Sequence, residues 1–124
     1  MKVSELTGAM LDYWVARTEG RPPDEVEINE YGQCCIEGPS NFNELPFHPS
    51  DYWMQGGPII EREGITPVHW GPNDWGAFIG PQGTYIDEKR PFDDDGPIQG
   101  APTPLVAAMR AYVASKFGDT VPDQ

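Results

Sequence analysis

Apolar side chains recur at helical spacing close to the start of the chain. The repeating positions are Met10, Leu11, Trp14 and Val15. A recurrence at intervals of three and four residues is typical of an amphipathic helix, and Thr7 can cap its first turn while Gly20 supplies a stop. We therefore predict a helix over residues 8–17, preceded by a short strand over residues 1–6.

A second helical repeat stands close to the end of the chain. Its apolar stripe consists of Leu105, Met109, Tyr112, Val113 and Phe117. Thr103 is a suitable N-cap residue, Pro104 suits the first helical position, and Gly118 follows the stripe. The pattern predicts a C-terminal helix that packs its stripe on a sheet, and it leaves residues 119–124 as a loose tail.

Short strand patterns alternate with turns between the two helices. Residues 25–28 alternate polar and apolar side chains, and a turn leads from them into residues 33–36. This pattern predicts a hairpin with acidic residues on its solvent face. Residues 58–62 have the length and composition of a further strand. Residues 76–79 and 84–86 flank a Gly-Pro-Gln-Gly turn and indicate a second hairpin.

Three segments combine aromatic residues with glycine and proline. Residues 37–51 show no sustained period, and we expect an ordered loop pinned by Phe42 and Phe47. In the middle of the chain a tryptophan precedes Gly-Gly-Pro at 56–58, interpreted as a corner where glycine takes a positive φ and backbone amides are exposed. Residues 68–75 form the third segment, a second aromatic loop.

These elements define an α+β fold class. The expected architecture is a small, mostly antiparallel sheet with the N- and C-terminal helices packed on it and long Gly/Pro-rich aromatic loops at one end. A chain of 124 residues is long enough for one hydrophobic core and too short for two independent ones. We predict a single domain over residues 1–124.

Composition and charge narrow the classes of function. The 14 glycines and 14 prolines predict long loops, while four Trp, five Tyr and five Phe supply apolar surface that disordered chains lack. The formal net charge of −12 repels phosphate backbones, so we expect no non-specific nucleic-acid binding, whereas basic protein surfaces are plausible partners. Without a leader pattern or a long apolar run, the expected location is the cytoplasm, away from membranes.

Few residues carry catalytic or metal-binding chemistry. The two histidines, His48 and His69, lack the spacing of a zinc site, and the run Asp93-Asp94-Asp95 lacks the spaced ligands of a calcium loop. The adjacent Cys34 and Cys35 are poorly placed to bridge each other, and either is a candidate nucleophile only beside a histidine. We therefore predict no catalytic residues, no metal and no cofactor. Enzymatic activity is unsupported.

The tryptophans in Gly/Pro-rich segments favour a binding role. An accessible indole stacks on a nucleobase for about 1–3 kcal/mol, and arginines or glycine amides hold phosphate groups. The alternative interpretation is that these indoles are core anchors and Gly-Gly-Pro is only a turn. The candidate ligand-binding residues are Trp53, Gln55, Gly56, Gly57, Arg62, Trp70, Trp75 and Arg90.

Three blocks of sequence together resemble the phage NinX family. They are SELTGAMLDYWVA at residues 4–16, QGGPIIEREGI at residues 55–65 and TPLVAAMRAYVAS at residues 103–115. The family often carries Cys where this chain has Ala111, which argues against an obligatory thiol there. The resemblance implies a phage accessory protein that acts in the host bacterial cytoplasm, and it implies no particular reaction.

Three hypotheses for the function remain open. The first is a non-enzymatic binding module that sequesters a small nucleotide signal of host defence. The alternative is an acidic interaction protein that inhibits a basic, nucleic-acid-binding enzyme of the host, and the third is a small hydrolase. Pockets built from loops are commonly completed by a second subunit, so we also expect a homodimer.

Overall fold

A computed structural model describes residues 1–38, 44–79 and 101–122. Within these residues the chain forms three α helices and five β strands. The helices are α1 Gly8–Thr18, α2 Trp53–Glu63 and α3 Pro104–Phe117, and the strands are β1 Val26–Ile28, β2 Cys34–Glu37, β3 Glu44–Pro46, β4 Ile65–Gly71 and β5 Asp74–Ile79. The predicted α+β fold class is confirmed, and the antiparallel strands form two small sheets.

Helix α3 is buried on almost every side. Leu105, Met109 and Val113 are at most 3 % exposed, and burying a side chain of this size contributes about 1.5–3 kcal/mol. Three buried alanines between them leave room for α1 on one side and for β4 and β5 on another. The helix starts as predicted, because Thr103 Oγ1 accepts a hydrogen bond from the Val106 amide at 3.1 Å.

Helix α1 covers the predicted N-terminal stretch. Leu11, Trp14 and Val15 point into the core, as their spacing predicts. Thr7 is the N-cap residue, but its hydroxyl accepts no hydrogen bond. Gly20 takes a φ of 98° just beyond the helix. Helix α1 packs against α3 and against strands β1 and β2.

The two sheets lie against different helices. Strands β1, β2 and β3 are neighbours in that order, and Val26 pairs with Ile36, which pairs in turn with Leu45. This sheet contains the hairpin predicted over residues 25–36. Strands β4 and β5 form the second sheet and pack on α3.

The middle of the chain is helical, so the predicted Gly-Gly-Pro corner and the strand over residues 58–62 are wrong. Neither Gly56 nor Gly57 takes a positive φ. Gly56 is needed for close packing, because a Cβ atom there would lie 2.5 Å from the Pro49 carbonyl oxygen and 2.6 Å from Leu105 Cδ2. A contact between distant segments therefore explains this glycine, and the local sequence does not reveal it.

Helix α2 also tolerates a proline. Pro58 has no N–H to donate to the carbonyl of Met54 one turn earlier, which weakens a helix. Both residues are exposed, Met54 by 75 %, so water can hydrogen-bond to that carbonyl. The helix ends where Gly64 adopts a left-handed conformation with φ 67°.

Residues 68–75 form a hairpin instead of the predicted aromatic loop. Strands β4 and β5 meet across a two-residue turn in which Asn73 has a φ of 53°. Pro and Asn are loop residues in general, but they are equally suited to a tight turn between strands. The predicted strand over residues 76–79 forms the last four residues of β5, and its partner is β4. Its predicted partner, residues 84–86, lies outside the described residues.

The long loop predicted over residues 37–51 contains strand β3. Phe47 packs against the core, as expected. Phe42 lies outside the described residues.

The two ends of the chain meet. Residues 1–6 contain a 3₁₀ turn, Val3–Glu5, rather than the predicted strand, because Val3 and Leu6 are both buried and a spacing of three suits a helical turn. The Val121 amide donates to the Met1 carbonyl oxygen at 2.9 Å, and Val121 is buried. The expected loose tail is therefore wrong over residues 119–121.

Candidate ligand-binding site

The three α helices begin close together. A cavity of about 290 Å³ lies between their first residues, with Gly8 of α1, Trp53 of α2 and Pro104 of α3 in its wall. A second cavity of about 190 Å³ adjoins it, since Gly8 and Asp51 line both. A helix N-terminus carries roughly half a positive elementary charge, so this end of the molecule favours anionic groups.

Free backbone amides face this end of the molecule. The first amides of a helix have no partner inside it, and those of Gly8 and Ala9 donate to no acceptor among the described residues. Both residues line the smaller cavity. In α3, by contrast, Thr103 already caps the amide of Val106. Helix α1 therefore supplies open donors for a ligand.

The smaller cavity gathers four titratable side chains from distant parts of the chain. Asp12 comes from α1, Cys34 from β2, and His48 and Asp51 from the turn before α2. The rest of the wall consists of Gly8, Ala9, Gly32, Gln33 and Pro46. Titratable groups brought together at a cavity wall are typical of a functional site.

Asp12 is the buried member of this cluster. It is 3 % exposed, and its Oδ1 accepts a hydrogen bond from the Ser50 amide at 2.9 Å. Burial raises the pKa of Asp12 to about 6; hydrogen bonds from Ser50 oppose the shift, Asp51 adds to it and His48 reduces it. The carboxyl therefore gains and loses its proton close to neutral pH, whereas an exposed Asp remains ionised.

His48 and Asp51 form a hydrogen-bonded pair. His48 Nδ1 lies 2.6 Å from Asp51 Oδ1, and the imidazole stacks on the Tyr52 ring with 5.0 Å between centroids and 9° between planes. These contacts fix the orientation of the ring. Because Nδ1 is occupied by Asp51, Nε2 is the ring nitrogen left for a ligand.

Cys34 contributes a thiol that remains protonated. Burial raises its pKa to about 12, with further contributions from Asp12 and Cys35. A thiolate is the nucleophilic form of cysteine, so Cys34 is not an activated nucleophile in this setting. Its role at the cavity wall is that of a small apolar side chain.

Two predicted site residues lie at or beside the cavities. Trp53 lines the larger cavity and is 55 % exposed. Gln55 has a structural role instead, because its Nε2 donates to the Pro46 carbonyl oxygen at 3.0 Å and its Oε1 accepts from the His48 amide at 2.7 Å. Gln55 thus ties the first turn of α2 to the segment that carries His48.

The two predicted glycines do not present amides to a ligand. The Gly56 amide donates to the Tyr52 carbonyl oxygen at 2.9 Å, and the Gly57 amide lies inside α2. The predicted phosphate contact through these amides is therefore wrong. The free amides near this site belong to Gly8 and Ala9 instead.

Arg62 lies away from Trp53, at the far end of α2. The helix separates them by roughly 13 Å along its axis and about half a turn around it. Arg62 forms ion pairs with Glu19 and Glu63, and its Nη2 donates to Tyr112 Oη at 3.0 Å. The guanidinium is thereby committed to a contact that holds the helices together.

Trp70 and Trp75 lie in the β4–β5 hairpin, and neither lines the two cavities that flank Gly8. The Trp70 ring covers Gly76, where no Cβ atom would fit. The Trp75 ring packs on His69 with 4.5 Å between centroids. Among the described residues, these indoles do not join Trp53 in the wall of the larger cavity, and Arg90 lies outside the described residues.

The sequence reasoning missed Asp12 and Asp51 and considered His48 only as an isolated histidine. Asp12 had a detectable signal, because it stands on the helical face of Val15 and Ala16, where a carboxylate is rarely buried without a role. His48 and Asp51 are three residues apart in a turn. No sequence feature shows that this turn packs against α1.

The described residues, 1–38, 44–79 and 101–122, contain no group of three or more His, Cys, Asp or Glu side chains placed to hold a metal ion. None of the helices in these ranges is long and apolar enough to cross a membrane.

Fold and cavities together define a small α+β protein with a candidate ligand site where its helices begin. Residues 2–116 match the profile of the NinX family of bacteriophage P22. The chain therefore belongs to the phage NinX family, as the three sequence blocks indicated. A comparison with curated proteins found no match.

Proposed function

We propose that this phage protein is a binding module that sequesters a small nucleotide in the two adjoining cavities, acting in the host bacterial cytoplasm against a nucleotide signal of host defence. The observation that carries the proposal is the exposed Trp53 in the wall of a cavity bounded by the first residues of three helices. An aromatic ring and a group of helix N-termini are the two features that a base and a phosphate require.

Each part of a nucleotide finds a suitable group at this end of the molecule. The base stacks on Trp53, and the phosphate receives hydrogen bonds from the Gly8 and Ala9 amides. The carboxyl groups of Asp12 and Asp51 accept hydrogen bonds from sugar hydroxyls or from an amino group of the base. Since these carboxyls also repel phosphate, a ligand with few phosphates fits better than a nucleic-acid strand.

A second copy of the chain is a suitable cover for the open side of the larger cavity. Tyr52, Trp53 and Met54 are 40 %, 55 % and 75 % exposed, and three large apolar side chains in a row form an apolar surface that a partner can bury. We therefore include a homodimer in the proposal. Analytical ultracentrifugation of the wild type and of the Met54→Asp variant tests it, and a monomeric wild type contradicts it.

Calorimetry with purified protein tests the proposed binding. Cyclic dinucleotides and cyclic ADP-ribose variants are titrated into the wild type, the Trp53→Ala variant and the Tyr31→Ala variant. Tyr31 is a matched control, because it is an aromatic residue 80 % exposed on the turn between β1 and β2. We expect Trp53→Ala to weaken binding by about 1–3 kcal/mol and Tyr31→Ala to leave it unchanged. Absence of heat with every nucleotide contradicts the proposal.

An acidic interaction protein is the second candidate, and the outer face of the three-stranded sheet favours it. Glu27, Glu37 and Glu44 share that face, and a hydrogen bond with Glu27 raises the pKa of Glu44. The charge of Glu27 also repels that of Glu44. A basic surface of a host nucleic-acid-binding enzyme would relieve the repulsion between these two carboxylates. Salt-sensitive capture of such an enzyme that is lost in Glu27→Gln/Glu44→Gln, but kept in the exposed control Glu30→Gln, supports this alternative.

A further inference from the structure

We infer that the smaller cavity is a hydrolytic centre that cleaves a phosphoester bond of the bound nucleotide, with His48 as the general base. The inference rests on the proposed function for its substrate class, since the base of the nucleotide occupies the adjoining cavity beside Trp53 and its phosphate lies at Gly8 and Ala9 of this one. It adds a reaction to the binding role.

The general base and its positioning residue are already in place. The 2.6 Å contact between His48 Nδ1 and Asp51 Oδ1 holds the imidazole in the tautomer that leaves Nε2 able to accept a proton. When Nε2 takes that proton, the ring becomes positively charged, and the adjacent carboxylate of Asp51 stabilises it. Stacking on Tyr52 restricts rotation of the ring further.

Donors for the charge that develops on the phosphate lie in the same wall. Gly8 and Ala9 line the cavity, and their amides donate to no acceptor among the described residues. They stand at the N-terminus of α1, where the helix dipole adds to their effect. Donors of this kind stabilise the negative oxygens of a transition state more than those of the ground state.

Asp12 can supply a proton to the leaving group. Its raised pKa, about 6, lets a fraction of the carboxyl groups carry a proton near neutral pH, which an exposed aspartate cannot do. Asp12 also lines the cavity that contains His48 and Asp51. The thiol of Cys34 is protonated, so water serves as the nucleophile.

The reaction balances with water as the only co-substrate. The water oxygen forms a bond to phosphorus while one of its protons moves to His48 Nε2. The bond between phosphorus and the leaving oxygen breaks, and that oxygen takes the proton of Asp12. The imidazolium of His48 then returns its proton to the Asp12 carboxylate through solvent, so the products are an alcohol and a phosphate with one ester bond fewer.

The two histidines of the chain provide a matched pair of variants. Wild type, His48→Gln and His69→Gln are incubated with bis(p-nitrophenyl) phosphate and with the cyclic dinucleotide panel in EDTA, and products are followed by absorbance and by ³¹P NMR. His69 is exposed on strand β4. We expect His48→Gln to lose 100-fold or more of the rate, the usual contribution of a general base, and His69→Gln to retain the wild-type rate.

The pH profile separates catalysis from a structural effect. The groups that face Asp12 are Cys34, His48 and Asp51, and the rate should fall as pH rises above about 6, since Asp12 then loses its proton. Asp51 is a positioning residue, so Asp51→Asn should lower the rate and the conservative Asp51→Glu should restore part of it, whereas the exposed control Asp24→Asn should leave the rate unchanged.

The outcomes distinguish this inference from the proposed function. Nucleotide binding without cleavage of any probe overturns the hydrolytic centre and leaves the binding module intact. Cleavage that persists in His48→Gln also overturns the inference. Cleavage lost only in His48→Gln and Asp51→Asn supports it, even if calorimetry detects no tight binding and the sequestering role is rejected.

Discussion

The two ends of the helical layer differ in how their charged side chains are paired. Where α1, α2 and α3 begin, the Gly8 and Ala9 amides donate to no described acceptor, the Asp12 carboxyl is buried and accepts from the Ser50 amide, and Asp51 lines two cavities. Near the other ends of α1 and α2, Arg62 binds Glu19, Glu63 and Tyr112 in one compact cluster. The first end carries the proposed ligand site, and the second joins the helices through ion pairs and a hydrogen bond.

The three helices run in the same general direction. They start around the same cavities, and residues from all three meet again at the Arg62 cluster. Their dipoles therefore add at the cavity end. At the opposite end Arg17, Arg62 and Lys116 occupy the last turns, where cations offset the negative end of each helix. The candidate ligand site and the Arg62 cluster thus lie at opposite ends of one helical layer.

The largest effect on stability is expected for Gly56→Ala, which disturbs the packing near the start of α2. The new methyl group would lie 2.5 Å from a backbone oxygen at Pro49 and 2.6 Å from Leu105 Cδ2, and backbone cannot move aside as a flexible side chain can. We expect the free energy of unfolding to fall by about 3 kcal/mol, measured by urea denaturation.

Gly57→Ala is the matched control for this change. The nearest atom to its new methyl group is a ring carbon of Trp53 at 4.0 Å. Alanine in a helix is favoured over glycine by about 0.5–1 kcal/mol, so this variant should gain stability. Equal effects of the two substitutions would contradict the packing account of Gly56.

Part of the fold was predictable because its signals are local. The terminal helices carry both an apolar period and end signals such as Thr103 and Gly20, and the first hairpin carries a clear alternation. Helix α2 was missed because glycine next to proline usually marks a turn. The contact of Gly56 with Pro49 and Leu105 depends on tertiary structure, which no local pattern displays.

The candidate site was predictable only in part, for the same reason. Trp53 is accessible, as its Gly/Pro-rich surroundings suggested, but it stands in the first turn of a helix and not in the predicted loop. The cluster of Asp12, His48 and Asp51 joins segments far apart in the chain, and each residue alone is ordinary. Arg62 was assigned to the site because residues 58–62 were predicted to be a strand. In the helix that forms instead, Arg62 lies on the side opposite Trp53.

A smaller effect, dependent on pH, is expected for Asp12→Asn. The pKa of Asp12 is raised from 3.8 to about 6 in the folded protein. Below pH 3.8 the carboxyl is protonated in both states and has no effect. Between pH 3.8 and 6 the unfolded chain is ionised while the folded chain keeps its proton, so the free energy of unfolding falls across this interval, by about 3 kcal/mol once the pH is above 6.

The Asn variant keeps an oxygen for the Ser50 amide and removes the charge. It should therefore be more stable than wild type at pH 7.5, by about 1–3 kcal/mol, and equally stable at pH 3.5. Urea denaturation at both values measures the difference, with Asp24→Asn as the exposed control. A variant that is less stable than wild type at pH 7.5 would show that ionised Asp12 stabilises the fold.

The smallest effect on stability is expected at the Arg62 cluster, for Tyr112→Phe. The hydroxyl of Tyr112 contacts both Glu19 and Arg62, but the Arg62 side chain is 50 % exposed, so solvent reduces the energy of the cluster. We expect a loss of about 1 kcal/mol in the free energy of unfolding, smaller in high salt, with no change in nucleotide binding. Tyr31→Phe, at an exposed turn, should change neither quantity. If Tyr112→Phe weakens binding as much as Trp53→Ala does, the two ends are coupled, and the Arg62 cluster does not act independently of the ligand site.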